Sequence, residues 1–176
     1  MDIFTEQIVK RKFSGKDWMV ALGAAVAAFV LIYISIFILL PLTMIPLIPL
    51  VVIAGSIYGI YWIASSRDLE FEYSVTNGNL TVDKIIHKRK RKRVVSFDVR
   101  NAEEMGKYDP ARMAHRQFDK QLIASETETG EDAWYIIVRT PKYGLTLLVF
   151  SPNDKVLDGI KAGMPRQMRI DVFGRN

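Results

Sequence analysis

The chain has 176 residues, a formal net charge of +5 and a mean hydropathy of +0.10. It contains no cysteine, which excludes disulfide bonds, cysteine-based zinc sites and thiol chemistry. These averages combine two different parts, because the stretch from Trp18 to Ser66 has no Asp, Glu, Lys, Arg or His while the remainder is densely charged. A soluble core helix keeps one polar face toward water. The uncharged stretch therefore indicates membrane-spanning helices.

The uncharged stretch is long enough for two spans, since about 20 apolar residues cross a hydrocarbon core. We predict helices over residues 18–40 and 47–64, joined by a turn from Pro41 to Pro46, because proline is unfavourable inside a helix but suits its first turn. One alternative is a single span followed by a re-entrant or interfacial piece. Another is a cleavable signal peptide, whose apolar region is shorter, about 7–15 residues.

The charges that flank the two predicted spans indicate their orientation. Residues 1–17 form a basic segment before the first span, a basic run follows the second, and the turn between them is uncharged. An excess of Lys and Arg marks the cytoplasmic side. We therefore predict a multi-pass protein of the cell (plasma) membrane with both termini in the cytoplasm. Trp18 and Trp62 are then interface anchors, at the depth that indole rings prefer.

Small residues offer a candidate packing seam within the predicted hairpin. Gly55 and Gly59 form a G-x-x-x-G, which permits close approach of helices, and Gly59 falls opposite Ala27 and Ala28 if the chain turns near Thr43. Packing inside the hairpin, a homodimer seam and a chance occurrence remain open. No ionisable group lies within the spans, so a transporter or proton relay is not expected.

From residue 68 onward the pattern indicates β-structure. Leu69 to Val75 alternates apolar and polar residues, as a half-buried strand does, and Asn77-Gly78 is a hairpin signal. Further strands are predicted over residues 80–86, 94–99, 102–107, 121–126, 133–140 and 145–150. Residues 109–120 are either a loop or a short helix capped by Asp109, with Pro110 at its first position.

The end of the chain is predicted to carry one helix. Ser151 to Asp154 resembles a helix start, and Val156 and Ile160 lie on one face of a helix that ends near Gly163. Residues 166–176 extend as a strand or fray. About seven antiparallel strands and a helix over residues 68–176 build a sandwich or partly open barrel that the helix can plug.

The first predicted β-hairpin carries a resemblance to a known family. The segment from Tyr73 to Val82 (YSVTNGNLTV), directly after a transmembrane hairpin and before a basic run, resembles the opening of bacterial pleckstrin-homology-like (PH-like) membrane proteins. The chain departs from their usual pattern at residues 85–87 (IIH) and 94–96 (VVS). The resemblance implies an α+β membrane protein, a two-helix transmembrane hairpin followed by a mostly β PH-like domain, with protein partners or membrane contact.

The basic run after the second strand is the most conspicuous polar feature. It is either a solvated hairpin loop, a nucleic-acid patch, or a surface that contacts anionic lipid headgroups. A nucleic-acid role is unlikely because no aromatic residues are interleaved with the charges. Lipid contact is favoured because the first strand leaves the bilayer and the second returns toward it. The predicted membrane-surface residues are Lys10, Arg11, Lys12, Lys88, Arg89, Lys90, Arg91, Lys92 and Arg93.

The sequence contains no recognisable catalytic motif. His87 lies in the basic run and His115 in a polar segment, and neither has an evident partner. The acidic cluster over residues 126–132 does not have calcium-loop spacing, and the common nucleotide-binding and hydrolase motifs do not occur. We therefore predict no catalytic residues, no cofactor and no metal site.

These observations predict a membrane-anchored, non-enzymatic module. It presents a PH-like domain at the cytoplasmic membrane surface for contact with protein or anionic lipid. The alternative is an accessory or scaffold subunit of a larger membrane complex, assembled through the transmembrane hairpin. The expected partners are the lipid bilayer and its anionic headgroups, with a protein partner or a homo-oligomer also possible.

Overall fold

A computed structural model describes residues 4–43 and 45–174. The chain forms two compact units. One contains residues up to Lys12 together with those from Leu69 onward, and the other runs from Phe13 to Asp68. Residues 1–17 were predicted to lie apart from the β domain, whereas in the structure this segment supplies the domain with a strand.

The first sheet has four antiparallel strands in sequential order. They are β1 (Phe4–Lys10), β2 (Leu69–Thr76), β3 (Asn79–Ile86) and β4 (Lys90–Asp98). β1 was not predicted, because two of its inward positions are the polar residues Thr5 and Gln7 and its Phe4 and Ile8 point outward and are exposed. Its pairing with β2 means that the helical hairpin is inserted in the β1–β2 connection.

The β2–β3 turn is the predicted Asn-Gly hairpin. Asn77 and Gly78 both have positive φ, at 50° and 86°, as a type I′ turn requires. The helical residue Gly163 lies against this turn, and a Cβ added to it would be 2.7 Å from the Gly78 Cα. Glycine at position 163 therefore allows the backbones of the helix end and the hairpin to approach closely.

The second sheet also has four strands, in the order β5-β7-β8-β6. A short 3₁₀ helix (Val99–Asn101) leads into β5 (Ala102–Lys107), followed by α4 (Pro110–Ala114), β6 (Lys120–Ala124), β7 (Trp134–Thr140) and β8 (Gly144–Phe150). The described residues thus contain eight strands, where about seven were expected, and β6 pairs with β8 in parallel. The ambiguous segment begins as a helix, because Asp109 Oδ1 accepts a hydrogen bond from the Ala111 N–H at 2.9 Å.

Two helices follow the second sheet, where one was expected. They are α5 (Asp154–Gly163) and α6 (Arg166–Phe173), and Asn153 caps the first of them. The prediction that the tail is a strand or frays was wrong for its described residues. Met168 and Val172 are four residues apart on α6, so both reach the core on one helical face. The last two residues lie outside the described part.

Tyr73 joins the two sheets inside the domain core. Its hydroxyl donates a hydrogen bond to the Ala124 carbonyl of β6 and accepts one from the Ser151 N–H at 3.2 Å. Its ring meets Phe150 edge-on, with the centroids 5.6 Å apart. Burial raises the pKa of the phenol. The tyrosine of the predicted motif is therefore a structural residue of the core.

The second unit is a helical hairpin. Its first arm is α1 (Gly15–Ile34), a π-helical turn (Ser35–Leu39) and α2 (Leu40–Thr43), and its second arm is α3 (Leu47–Arg67). The predicted turn at Pro41 was wrong because the helix continues to Thr43. The Leu40 N–H bonds the Ser35 carbonyl, five residues back, and this wide turn lets the first turn of α2 hold Pro41. Met44, within the predicted turn, lies outside the described residues.

Both arms are long and apolar enough to cross a membrane. The segments Gly15–Leu42 and Leu47–Arg67 have mean hydropathies of 2.7 and 2.0. Only 11% and 6% of their most apolar windows are buried, whereas the core helix of a soluble protein is mostly buried. The more buried positions recur every three or four residues and include Ala24, Ala28, Ile32, Ser35, Pro49, Val52, Ser56, Gly59 and Ile63.

Candidate membrane-surface site

The basic run forms a tight turn and most of a strand, not the loop that was expected. Residues 87–89 make the turn, in which His87 and Lys88 have φ values of 49° and 52° and the Arg89 N–H bonds the Ile86 carbonyl at 3.1 Å. β4 then begins at Lys90, four residues before its predicted start. Because successive side chains of a strand point to opposite faces, the positive charges from Lys90 onward are divided between the two faces.

The arginines of β4 pair with buried carboxylates. Arg91 forms a salt bridge with Glu72, and Arg93 Nε lies 3.1 Å from Asp83 Oδ1. Glu72 and Asp83 are directly opposite each other on β2 and β3 and are 6% and 7% exposed. Burial raises the Glu72 pKa, the Arg91 charge opposes that rise, and Glu6 and Asp83 add to it. Arg91 and Arg93 therefore neutralise a pair of like charges within the domain.

The remaining cations of the run are exposed. Lys88 and Arg89 lie in the turn, and Lys90 and Lys92 lie on the face of β4 opposite the arginines. None of these four forms a salt bridge with a residue that the structure describes. They are the part of the predicted surface that remains open to an external anion.

The basic residues at the end of β1 lie beside an acidic turn of the domain. Lys12 Nζ is 2.9 Å from Glu126 Oε1, and Arg11 lies 3.8 Å from Glu128. The Lys12 N–H also bonds the Glu126 carbonyl at 2.7 Å. Arg11 and Lys12 thus hold the acidic turn to β1. Part of the charge assigned to the membrane surface is used within the domain.

One end of the first sheet gathers the basic features. Leu69 at the start of β2 pairs with Ile86 at the end of β3, and the Arg11 N–H bonds the Leu69 carbonyl at 2.9 Å. The end of β1, the start of β2 and the β3–β4 turn are therefore neighbours. Both chain connections to the helical hairpin leave the domain from this end, through residues 11–14 and Asp68.

The predicted packing residues of the hairpin do not form one seam. Ala28 is buried, whereas Ala27 and Gly55 are exposed and Gly59 is half-buried. A Cβ added to either glycine would meet no other helix or side chain within 4 Å. The G-x-x-x-G is therefore not a point of close approach inside the hairpin.

The ends of the hairpin carry the predicted tryptophans and an ion pair that was not predicted. Trp18 and Trp62 are 70% and 64% exposed. Next to Trp18, the buried Asp17 accepts a hydrogen bond from Arg67 at 2.8 Å. The sequence offered a signal for this pair, because Asp17 and Arg67 are the charges that immediately bound the uncharged stretch.

A second polar cluster lies on the other sheet. Glu104 accepts hydrogen bonds from the Tyr135 hydroxyl and from Arg116, and Arg112 is 3.5 Å away. Burial alone would raise the Glu104 pKa, but these hydrogen bonds and charges outweigh it and the pKa is lowered. Burial and the neighbouring Glu104 raise the pKa of Tyr135 to about 12. The cluster borders a cavity of about 590 Å³ between β5 and α6.

The two sheets, the terminal helices and the inserted hairpin define a PH-like domain with a helical insertion after its first strand. The family model described as "Bacterial PH-like domain (DUF6106)" matches residues 1–170, and the chain belongs to this family. The resemblance noted in the sequence and the fold class inferred from it are thus confirmed. Neither a curated protein nor a solved structure matches the chain.

Proposed function

We propose that the protein is a membrane-anchored, non-enzymatic module that presents its PH-like domain at the cytoplasmic membrane surface. In this proposal the basic turn of the domain contacts anionic lipid headgroups. The observation that carries it is the group of exposed cations at the end of the sheet that is covalently joined to two apolar helices. PH-like domains are generally non-catalytic, which supports the non-enzymatic role.

The proposed lipid contact involves only part of the basic run. Arg91, Arg93, Arg11 and Lys12 have acidic partners within the domain. Of the four cations of the run that remain, Lys88–Lys90 lie in the turn or directly after it, whereas Lys92 lies further along β4. The proposed lipid contact is therefore made by Lys88–Lys90. Each basic side chain near an anionic leaflet gains about 1 kcal/mol, so these three suffice to hold the domain in a preferred orientation.

The lipid contact is tested with the full-length protein in lipid nanodiscs. A fragment over residues 68–176 is unsuitable because it lacks β1. Hydrogen exchange of residues 86–90 is compared between nanodiscs of phosphatidylcholine alone and nanodiscs that also contain phosphatidylglycerol. We expect slower exchange in the anionic nanodiscs, and loss of that difference in K88Q/K90Q.

The matched control for this test is K155Q/R166Q, which removes two exposed positive charges at the start of the two terminal helices. If the lipid contact is local to the turn, K155Q/R166Q keeps the difference in hydrogen exchange of residues 86–90 between the two kinds of nanodisc. Equal exchange of the wild-type turn in both nanodiscs would contradict the lipid contact. If K88Q/K90Q and K155Q/R166Q both lost this difference in exchange to the same extent, the effect would come from net charge alone.

The proposed orientation has its own experiment, made easier because the chain has no cysteine. Lys155→Cys in the domain and Leu42→Cys near the hairpin turn are treated in intact cells with a thiol reagent that does not cross membranes. We expect the reagent to label Leu42→Cys but not Lys155→Cys until the cells are lysed. The reverse labelling would place the domain outside the cytoplasm.

The second candidate function is an accessory subunit that binds its complex through the hairpin. The open space beside Gly55 and Gly59 favours this candidate, because another helix could approach there. G55I/G59I would then abolish co-purification of a partner or of a differently tagged copy in mild detergent. Ile57→Phe, at an exposed position two residues from each glycine and therefore on the opposite side of α3, is the control for added bulk. Unchanged co-purification in G55I/G59I would exclude this face as the interface.

A further inference from the structure

The last helix of the domain, α6, is held more weakly than the helix before it. Val156 and Ile160 of α5 are fully buried, and Asn153 caps that helix. By contrast, α6 has no buried residue and no side-chain hydrogen bond at its N-cap, Pro165. Its side chains form no hydrogen bond or salt bridge with another element in the part of the chain that the structure describes. Few buried contacts are typical of a segment that opens locally.

The C-terminal end of α6 is attached to the domain through a stack of aromatic rings and lysines. The Phe173 ring stacks on Trp134 of β7, with the ring centroids 5.5 Å apart. Lys107 Nζ lies 4.7 Å from the centroid of the Trp134 ring, and Lys161 Nζ lies 5.1 Å from that of Phe173. Apart from this stack, α6 contacts the core only through the partly buried side chains of its apolar face. One pair of rings therefore fastens the far end of the helix.

The chain just before α6 provides a hinge. α5 ends at Gly163, which lies against the backbone of Gly78, and the next residue, Met164, is buried. Pro165 is exposed, and Met164 and Pro165 have ψ values of 148° and 140°, outside the helical range. The fold thus fixes the chain up to Met164 and leaves α6 able to turn about Pro165.

The surface beneath α6 includes the free edge of the second sheet. β5 pairs with β7 along one side only, and the cavity of about 590 Å³ lies between β5 and α6. Five consecutive residues of the strand, Glu103–Lys107, line this cavity, as do Met168 and Val172 of α6. An uncovered strand edge is a template for pairing with another chain, and a helix that covers the edge is one way in which proteins prevent such pairing. α6 therefore lies where a cover for β5 is needed.

We propose that α6 is a lid that opens as a unit about Pro165 and uncovers the edge of β5 while the rest of the domain stays folded. In the closed state the stack of Phe173 on Trp134 holds the far end of the lid. In the open state water reaches the edge of β5 and the side chain of Met105. The lid is independent of the proposed lipid contact, because it involves neither the basic turn nor the helical hairpin.

The test measures the oxidation of methionine side chains by dilute hydrogen peroxide in the full-length protein in mild detergent. Met105 of β5 is 4% exposed and belongs to the core cluster that α6 covers, whereas Met113 of α4 is 2% exposed and belongs to the other cluster. Mass spectrometry gives the rate at each residue. All proteins carry Met168→Leu, which nearly keeps the side-chain volume, because oxidation of Met168 would itself place a polar group beneath the lid.

One variant opens the lid. Phe173→Ala removes the ring stack and should raise the oxidation rate of Met105 about tenfold or more, because the lid then loses both an aromatic pair and its buried area. The oxidation rate of Met113 should not change. If Phe173→Ala raised the rates of Met105 and Met113 by the same factor, the domain would be opening as a whole and the proposal would be overturned.

A cross-link closes the lid and needs no destabilising change in the core. E103C/Q167C places one thiol on each side of the cavity, in a chain that has no other cysteine. A short bis-maleimide that joins the two thiols should lower the oxidation rate of Met105 by a similar factor. The same variant capped with N-ethylmaleimide is the control and keeps the original rate. A rate at Met105 that the cross-link leaves unchanged would overturn the lid, even if Phe173→Ala failed to fold.

Discussion

Asp17 and Arg67 form a salt bridge of 2.8 Å between the first turn of α1 and the last residue of α3. The Asp17 side chain is 3% exposed and also accepts the Ser14 N–H at 3.0 Å. One carboxylate thus caps its own helix and fastens the opposite arm of the hairpin. The two residues are the first charges on either side of the uncharged stretch, so the ion pair lies at its boundary.

Removing this ion pair should loosen the hairpin. We expect R67Q to lower the free energy of unfolding by about 1–2 kcal/mol, because it removes the Arg67 charge from a buried carboxylate while Arg67 itself is partly solvated. D17N should lower the free energy of unfolding by at least as much, since it also weakens the cap of α1. Unfolding of the full-length protein in mixed micelles with increasing SDS measures both.

The coupling between Asp17 and Arg67 is isolated by the double variant D17N/R67Q. If the ion pair acts as described, the double variant is less destabilised than the sum of the two single variants. Lys16→Gln, one residue from Asp17, controls for the loss of a nearby charge. Simple additivity would contradict the coupling.

The side chain of Gln7 should stabilise the domain although it lies before the two apolar helices in the sequence. Its amide donates to the Ser151 carbonyl at 3.1 Å and accepts the Asn153 N–H at 2.7 Å. Gln7→Ala removes both hydrogen bonds next to the start of α5. We expect this to lower the free energy of unfolding by about 1–2 kcal/mol. Thermal unfolding of the full-length protein, followed by circular dichroism, measures the change. The exposed Gln121→Ala should be within about 0.5 kcal/mol of the wild type.

The contact between Gly163 and Gly78 predicts an unusual response to alanine. Inside a helix, glycine to alanine normally stabilises by up to about 1 kcal/mol. At position 163 the new methyl group would lie 2.7 Å from backbone, so we expect G163A to destabilise by about 1–3 kcal/mol. G159A is the matched control, because its methyl would lie 3.3 Å from a Val75 methyl group. If G159A lost more stability than G163A, this would contradict the close approach of Gly163 to Gly78.

The Arg91–Glu72 pair predicts a pH-dependent stability change. The Glu72 pKa is raised above its ordinary value of 4.5, mainly by burial. A carboxyl with a raised pKa favours the folded state most when protonated, so its contribution is lost as the pH rises through the folded pKa. Arg91 limits this loss. R91Q should therefore lower the free energy of unfolding by about 1 kcal/mol at neutral pH and by almost nothing below pH 4.5. The expected loss at neutral pH is small because Arg91 is largely exposed to water.

The control for the pH dependence is K90Q, the neighbouring cation on the opposite face of β4. Its stability should differ little from that of the wild type at either pH, since Lys90 has no salt bridge in the described part of the chain. Denaturant titrations at neutral and acidic pH compare the three proteins. A loss in R91Q that is the same at both pH values would show that Arg91 does not act through Glu72.

The sequence predicted the fold class and most strands, because alternation from Leu69 onward and the Asn77-Gly78 turn are local signals. β1 was missed because its apolar residues are few and its partner strand lies beyond both helices. α6 was missed because Arg169 and Asp171 alternate with Met168, Ile170 and Val172, and this alternation of apolar and polar residues is typical of a strand. The tight turn at His87 lacks the glycine that usually marks positive φ.

The candidate site was predicted in composition but not in geometry. A run of six basic residues is visible in the sequence, yet its division between two faces depends on where β4 begins. Once β4 is known to start at Lys90, strand alternation alone separates Lys92 from Arg91 and Arg93. Their acidic partners depend on tertiary contacts that no local pattern encodes.

The position of the helical hairpin also governs the order in which the protein can assemble. β1 leaves the ribosome first, but its hydrogen-bonding partner β2 is made only after both apolar helices. The first sheet therefore cannot be completed until the helices have been synthesised, and β1 must meanwhile remain unpaired at the N-terminal end. A helical hairpin that failed to bring its two ends together would leave β2 with an open edge, a template for aggregation. Formation of the helical hairpin and completion of the domain are thus linked by chain connectivity.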